Sequence, residues 1–152
     1  MGPLPSSTRR KTTISASISS RPSLAPYGKF PLRDILHRTA SRLPHKIGVI
    51  DGERRFTFRE LDELSDRLGS ALAARKVGRG DRVAILAPNC AEFVIDCFGI
   101  TKAGAVVTTV NSGYREREIA HQLNDSGAEI VIAHADLMST MESARDAVHR
   151  LS

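Results

Sequence analysis

Asn89 and Asn111 are the polar residues of this chain that are best placed to contact a ligand. Each follows an apolar run that predicts a β-strand, at residues 82–87 and 105–110. In open parallel sheets, ligands usually bind just beyond the carboxyl ends of the strands. Helix capping and turn formation are common roles for the same residue type, and the sequence favours those roles here.

The other residues with reactive or charged side chains are expected to have structural roles. The histidines show no H-x-x-x-H metal spacing, and we interpret all of them as surface residues: His37, His45, His121, His134 and His149. A charged stretch is typical of a solvated helix face: Arg59, Asp62, Glu63, Asp66 and Arg67. Gly78 and Gly80 precede a strand, whereas the glycines of a dinucleotide-binding fingerprint follow one. We therefore assign no catalytic residue and no metal ligand, and the cofactor-binding residues stay open.

The positive charge of the chain is concentrated at its N-terminus. The net charge is +5, yet residues 1–33 hold six basic and no acidic side chains, so the remainder carries −1. A nucleic-acid-binding domain needs a basic folded part with interleaved aromatic residues. Aromatic residues make up 5% of this chain and Trp is absent, which argues against nucleic acid as a partner. No apolar run is long enough to span a bilayer.

Residues 1–28 predict a disordered, basic tail. They are rich in Ser, Thr, Arg and Pro, and their few apolar residues follow no helical period. Such a segment cannot bury enough surface to offset its ordering entropy. A basic, serine-rich and acid-free N-terminus is also typical of transit peptides. We expect a cytoplasmic protein, with mitochondrial or other organelle targeting as the alternative, and a folded unit at residues 29–152.

Local signals divide the folded unit into helices and strands. Residues 31–44 predict a helix bracketed by two prolines. Its apolar stripe is Ile35, Leu36, Ala40 and Leu43. A hairpin turn is predicted at residues 51–52. Thr57 and Glu60 form a capping box at the start of a second helix, which Gly78 is expected to end.

Apolar runs alternate with helical patterns in the rest of the chain. The predicted strands are residues 82–87, 105–110 and 129–133, and the predicted helices are residues 89–104, 115–124 and 137–150. Strands that alternate with helices imply a parallel sheet with right-handed crossovers. The fold class is therefore α/β: a partial open sheet of parallel strands with flanking helices, preceded by the disordered tail.

Five motifs follow one another along this pattern, at residues 51–61, 78–85, 88–93, 99–105 and 111–128. The first four are similar to "DG-x-x-x-T-[YF]-x-EL", "GV-x-x-GD-x-VAI", "PN-x-x-EF" and "G-x-x-KAGA". Their order and spacing resemble the N-terminal part of the adenylate-forming (AMP-binding) superfamily, most like acyl-CoA synthetases, that is, fatty-acid or aryl acid–CoA ligases. Thr109 and Ser112 stand where that family commonly has prolines, so the subfamily stays open.

The resemblance implies a two-step reaction. A carboxylic acid attacks the α-phosphate of Mg-ATP to give an acyl-adenylate, and CoA then displaces AMP. ATP, Mg and CoA are thus the cofactors of the full-length family, with none expected for this chain alone. The phosphate loop, the ribose-binding aspartate motif and the C-terminal domain with its lysine do not occur among these residues. We therefore expect an N-terminal fragment that is inactive by itself, with the carboxylic acid a substrate only of the complete enzyme.

Two other interpretations remain. The chain is alternatively a non-catalytic or split-enzyme module that pairs with another polypeptide, such as a complementary C-terminal fragment. A flavodoxin-like nucleotide-binding domain is the third interpretation. The absence of a glycine-rich or Ser/Thr-rich phosphate loop after the first strand argues against it.

Overall fold

The computed structural model describes residues 31–149 and residue 151. Its elements are α1 (Leu32–Arg42), β1 (Ile47–Asp51), β2 (Arg54–Thr57), α2 (Phe58–Ala74), β3 (Arg82–Leu86), α3 (Ala91–Lys102), β4 (Val106–Val110), α4 (Glu116–Ser126), β5 (Ile130–Ala133) and α5 (Met138–Arg145). A short 3-10 turn, Ala135–Leu137, precedes α5. The predicted tail of residues 1–28 lies outside the described residues.

The α/β fold expected from the sequence is confirmed. β3, β4 and β5 form a parallel sheet in the order β4-β3-β5, and α3 and α4 connect its strands. β1 and β2 form a separate antiparallel hairpin in front of α2. The capping box is also present, because the Thr57 hydroxyl accepts the Glu60 N–H and the Glu60 carboxylate accepts the Thr57 N–H.

β3 divides the core into two clusters. Its side chains alternate between the two faces of the sheet, and Val83, Ala84, Ile85 and Leu86 are all fully buried. Ala84 and Leu86 face a cluster with residues of α4 and α5. Val83 and Ile85 face a second cluster with residues of α2 and α3. A central strand that is covered on both faces agrees with the continuous apolar run in the sequence.

α2 and α3 approach each other through two glycines. A Cβ atom on Gly69 would lie 3.1 Å from the carbonyl oxygen of Gly99, and one on Gly99 would lie 2.6 Å from Leu68 Cδ2. Both distances are shorter than ordinary van der Waals contact. The two helices can therefore pack this closely only because both positions lack a side chain.

Helix ends differ from the predictions at two places. α2 ends at Ala74 rather than near Gly78, because Lys76 adopts a left-handed conformation (φ 64°) and the Val77 N–H reaches back to the Leu72 carbonyl. This pattern closes a helix, although glycine usually fills the left-handed position. The predicted helix at residues 137–150 is shorter, since α5 ends at Arg145.

The other predictions of helix ends, turn and apolar stripe agree with the structure in part. Gly104 (φ 86°) and Gly127 (φ 65°) take left-handed conformations just after α3 and α4, as glycine permits at low cost. The hairpin is present, but its two-residue loop consists of Gly52 and Glu53 instead of residues 51–52. The apolar stripe of α1 is only half buried: Leu36 and Ala40 lie in the core, whereas Ile35 and Leu43 are each 46% exposed.

Candidate functional site

The structure brings Asn89 and Asn111 together in one cleft. This cleft of about 400 Å³ lies at the carboxyl ends of β3 and β4. The Asn111 side-chain oxygen accepts the Gly113 N–H at 2.9 Å, which confirms the turn-forming role favoured from the sequence. Asn89 is exposed, and Cys90 rather than Asn89 occupies the N-cap position of α3. Asn89 is therefore the asparagine whose side chain remains available to a ligand.

Gln122 supplies the least satisfied polar group of the same cleft. Its Nε2 donates to the Thr109 carbonyl oxygen at 2.7 Å. Its Oε1 is buried and has no hydrogen-bond partner in the described part of the chain. Leaving a buried acceptor unpaired costs about 1–3 kcal/mol. The cleft thus contains a position where a hydrogen-bond donor from another molecule or segment would be stabilised.

This cleft does not fit the phosphates of ATP. Its lining contains no lysine and no arginine: Ala87, Asn89, Phe93, Thr109, Val110, Asn111, Ser112, Tyr114 and Gln122. Phosphate sites require cations or convergent backbone N–H groups that face the negative charge. Within residues 31–149, no group of three His, Cys, Asp or Glu side chains is arranged to hold a metal ion either.

A second cleft, of about 310 Å³, is lined by cationic side chains, but it lies at the opposite ends of the strands. Arg75, Lys76 and Arg82 line it, together with Asp81 and Glu129. The Asp81 carboxylate accepts the Gly78 N–H at 2.8 Å and stabilises the turn before β3. Since ligands of parallel sheets bind at the carboxyl ends of strands, we interpret this basic cleft as part of the loop structure.

The first motif holds the β1–β2 hairpin against the start of α3. The Asp51 carboxylate accepts the Ala91 N–H at 3.1 Å and therefore caps α3 from a distant part of the chain. Arg54 pairs with Asp51 and binds both oxygens of Glu92, at 2.6 and 3.0 Å. Arg54 holds the pKa of Glu92 down to about 2, and the Ala91 N–H, followed by Arg54, lowers the pKa of Asp51.

Lys102 connects α3 to α2, which corrects one prediction. Its Nζ contacts Asp62 Oδ1 at 2.6 Å and Asp66 Oδ1 at 2.7 Å, and its side chain is 11% exposed. The prediction of a solvated face was wrong for Asp62, which is 8% exposed. The Asp62 carboxylate also accepts a hydrogen bond from His37 Nδ1 at 2.9 Å, so His37 is a paired residue as well as an exposed one.

The remaining histidines are mainly surface residues, as the sequence predicts. His45, His121 and His149 are exposed, and His134 is half-buried with its Nδ1 near the Asp136 N–H. Cys90 and Cys97 are free and partly buried. Burial raises the pKa of both thiols.

Sequence reasoning did not identify Asp96 as an unusual group. Burial, followed by the nearby charge of Glu92, raises the pKa of Asp96 to about 6. No hydrogen bond or ion pair to Asp96 occurs among the residues that the structure describes. Its place within a mostly apolar stretch of α3 is the only signal that could have indicated this burial.

Comparison with known proteins connects most of the described region to one family. The AMP-binding enzyme family matches residues 36–151. A long-chain-fatty-acid–CoA ligase of Escherichia coli is 35% identical over 117 residues, which are 76% of this chain and 21% of the ligase. The chain therefore spans about a fifth of the length of the curated relatives that it matches.

Solved structures agree with this relationship. The crystal structure of the anthranilate CoA ligase AuaEII in complex with anthranoyl-AMP matches with a TM-score of 0.75 and 30% identity, over 80% of this chain and 24% of the ligase. The N-terminal domain of FACL13 from Mycobacterium tuberculosis matches with a TM-score of 0.72 and 28% identity, over 77% of this chain and 30% of that domain. None of the helices at residues 31–149 combines the length and apolar character needed to cross a bilayer.

Proposed function

Because the chain belongs to the AMP-binding enzyme family, we propose that it forms the N-terminal part of an ATP-dependent acyl-CoA synthetase. Such an enzyme converts a carboxylic acid, ATP and CoA into acyl-CoA, AMP and pyrophosphate. The E. coli relative is named for long-chain fatty acids, whereas the solved ligase acts on anthranilate. The proposal therefore covers aliphatic and aromatic acids alike.

One observation carries the proposal: the family motifs lie within a single folded unit and make the contacts that hold it together. Asp51 and Glu92 join the hairpin to α3, and Lys102 joins α3 to α2. Gly104 closes α3 before β4. These residues build a scaffold rather than a reaction centre, which supports a structural contribution by residues 29–152 to a larger catalytic domain.

ATP, Mg and CoA would accordingly contact other parts of the enzyme. The uncharged cleft beside Asn89 and Asn111 supports this division, because it offers no cation for a phosphate group. We propose that the carboxylic acid also binds only in the complete enzyme. The protein is proposed to be cytoplasmic, and residues 1–28 are proposed to be a tail separate from the folded unit.

Pyrophosphate exchange tests the proposal. The purified 152-residue chain is expected to show no ATP–pyrophosphate exchange with a panel of fatty and aromatic acids. Loss of one oxyanion-stabilising donor typically costs ~2.7–4 kcal/mol of transition-state stabilisation, and this chain lacks every phosphate contact of the family. ATP-dependent exchange by the chain alone would contradict its proposed inactivity.

A chimera tests the positive part of the proposal. Residues 36–151 would replace the matching segment of the E. coli ligase, which is 35% identical to this chain. We expect the chimera to fold and to retain exchange with long-chain fatty acids. A folded chimera without exchange would contradict the proposal that this segment can serve an acyl-CoA synthetase. The parent ligase is the control.

A split-enzyme module is the second candidate. It is favoured by one observation: among the residues that the structure describes, β4 has a neighbouring strand on one side only, and its other side could accept a strand from another polypeptide. Exchange activity that appears only when the purified chain is mixed with the separately expressed remainder of the E. coli ligase would support it.

A further inference from the structure

The basic cleft at the amino ends of the strands contains cations that its structural role does not explain. Arg75, Lys76 and Arg82 line this cleft of about 310 Å³, and all three residues are exposed. The turn before β3 depends on Asp81, whose carboxylate accepts the Gly78 N–H. That turn needs no positive charge, so the three cations require another explanation.

Neighbouring carboxylates do not pair with these cations. None of the three forms an ion pair with an acidic side chain among residues 31–149. Two acidic residues line the cleft as well, but the Asp81 carboxylate is bound to its own turn and Glu129 has an interaction of its own. Arg79 adds a fourth positive charge to the same loop. The cleft and its loop therefore carry an excess of positive charge that an anion would neutralise.

Lys76 holds its charge at a backbone position that suits glycine. Its φ of 64° is the left-handed conformation, and within residues 31–149 no other non-glycine residue has a positive φ. A Cβ atom makes this conformation unfavourable. The superfamily wording "GV-x-x-GD-x-VAI" has a glycine immediately before the position of Val77, where this chain has Lys76. Because strained backbone positions cluster at binding sites, the lysine indicates a use for its side chain.

The carboxyl end of α2 accounts for only one of the cations. A positive charge is favourable beside the free carbonyl groups of a helix end, and the last turn of α2 contains no basic residue. Arg75 supplies this charge, since its Nη1 donates to the Ala71 carbonyl at 3.4 Å. Arg82 begins β3, and a helix end does not require a lysine at the left-handed position. Lys76 and Arg82 therefore remain unexplained by the fold.

We propose that the basic cleft is a binding site for a small anion that carries a phosphate or diphosphate group, with Lys76 and Arg82 as its charged contacts. The planar guanidinium of an arginine binds two phosphate oxygens at once, and a lysine adds a compact point charge. Gly80 lines the same cleft, and its N–H has no hydrogen-bond partner among residues 31–149, so it can donate to a further oxygen. The volume lies at the lower end of the range of small-molecule sites.

This inference goes beyond the proposed synthesis of acyl-CoA and does not depend on it. The basic cleft lies at the amino ends of the strands, whereas Asn89 and Asn111 lie at the carboxyl ends. The catalytic phosphate contacts are proposed to lie in other parts of the enzyme, so the basic cleft is a separate anion site. A free diphosphate and a nucleotide share the recognised group, and the titration below distinguishes them.

An NMR titration of the nitrogen-15-labelled 152-residue chain tests the proposal directly. Inorganic pyrophosphate, AMP and sulfate are added separately at constant ionic strength. Pyrophosphate or AMP should shift the amide signals of Lys76, Gly80 and Gly127, which line the cleft, to a saturating value. Sulfate should bind at least about 10-fold more weakly, the loss that corresponds to about one charge-assisted hydrogen bond.

Each outcome of the titration decides for or against the site. Tighter binding of pyrophosphate than of AMP supports a site for a free diphosphate, and the reverse order supports a site for a nucleotide. An equal response to sulfate would mean an adventitious ion only and would overturn the proposal. The absence of saturable shifts at the three amides with either phosphate compound would overturn it as well.

Variants at Lys76 separate binding from folding. Lys76→Gly removes the charge and also relieves the left-handed backbone, so the variant should unfold at the same or a higher urea concentration than the parent. Its affinity for the phosphate compound that binds the parent should nevertheless fall about 10-fold or more. Lys76→Arg keeps the charge and should retain most of the affinity.

Arg82→Gln and Lys46→Gln complete the comparison. Arg82→Gln should weaken binding as Lys76→Gly does, because both side chains line the cleft. Lys46→Gln is the matched control, since Lys46 is exposed and lies outside the cleft, and it should leave the affinity unchanged. Unchanged affinity in a folded Lys76→Gly variant, or an equal loss in Lys46→Gln, would overturn the inference.

Discussion

Among single residues, Lys102 forms the least exposed ion pair of the described part of the chain, with Asp62. It lies in the last turn of α3, yet its Nζ binds the carboxylates of Asp62 and Asp66 on α2. Asp62 is 8% exposed, so its charge depends on this partner and on His37. Removing one member of a buried ion pair leaves the other charge uncompensated.

We expect Lys102→Met to lower the free energy of unfolding by about 3–5 kcal/mol. The measurement is urea unfolding at pH 7, followed by far-UV circular dichroism. Asp66→Asn is the matched control, because the Asp66 side chain is 58% exposed and exposed pairs contribute only about 0–1 kcal/mol. A Lys102→Met variant as stable as the Asp66→Asn variant would contradict the buried network.

Asp96 should make stability depend on pH. Its pKa in the folded chain is about 6, above its ordinary value of about 3.9 in an unfolded chain. The folded state therefore disfavours the ionised form, and the chain loses stability as the pH rises from about 4 to about 6. Asp96→Asn removes this penalty. The variant should match the parent at pH 4 and exceed it at pH 8 by about 1–2 kcal/mol, allowing for partial solvent screening.

Urea unfolding of both proteins at pH 4, 6 and 8 measures this effect. Asp125→Asn, at an exposed position on α4, controls for the general loss of one negative charge. A stability difference between Asp96→Asn and the parent that stays constant from pH 4 to pH 8 would refute the assignment.

At the level of elements, Gly69 and Gly99 explain why α2 and α3 pack so closely. A Cβ on Gly99 would lie 2.8 Å from Leu68 Cβ, an atom fixed to the backbone. In an open helix, Gly to Ala stabilises by about 1 kcal/mol. Here the overpacking cost of about 1–3 kcal/mol should exceed that gain.

We therefore expect Gly99→Ala to lower the thermal midpoint of unfolding. In a Leu68→Gly background the obstructing Cβ, Cγ and Cδ2 atoms are gone, and the same change should be neutral or stabilising. The change in stability caused by Gly99→Ala differs between the two backgrounds, and this difference is the coupling energy of the contact. If Gly99→Ala stabilises the chain even with Leu68 present, that result would contradict the close approach of α2 and α3.

The helices and strands were predictable from local sequence signals, whereas the contacts between them were not predictable. The capping box and the glycines after α3 and α4 act within a few residues, and the structure has them as predicted. The ion pair between Lys102 and Asp62 joins positions 40 residues apart. A helical pattern shows which residues share a face, but not which neighbouring helix supplies the charge.

One signal for the buried aspartate was nevertheless present. Asp62, Ser65, Gly69 and Leu72 recur at helical spacing, and all four are buried in α2. Small and polar residues on one stripe indicate a close helix contact with an internal charge pair. The unpaired Gln122 Oε1 had no such signal, because its burial depends on how α4 lies beside β4.

For the whole molecule, β3 is the structural centre on which both core clusters depend. Its four fully buried residues contact helices on both faces of the sheet. The family motifs surround this strand and fix the hairpin and α3 to it. The described part of the chain therefore has its own core, built on both faces of β3.

Deleting residues 1–28 should leave this core intact. Every buried side chain in the described structure lies between Leu36 and Ala144, and hydrophobic burial is the main favourable term in folding. We expect the free energy of unfolding of residues 29–152 to lie within about 0.5 kcal/mol of that of the full chain, the range typical of changes away from packed groups.

The deletion should also lower the net charge from +5 to +1, because it removes Arg9, Arg10, Lys11 and Arg21. Urea unfolding and cation-exchange retention measure the two effects separately. Earlier elution with unchanged unfolding would support the proposed boundary near residue 28, and a large loss of stability would place part of the folded unit within the first 28 residues.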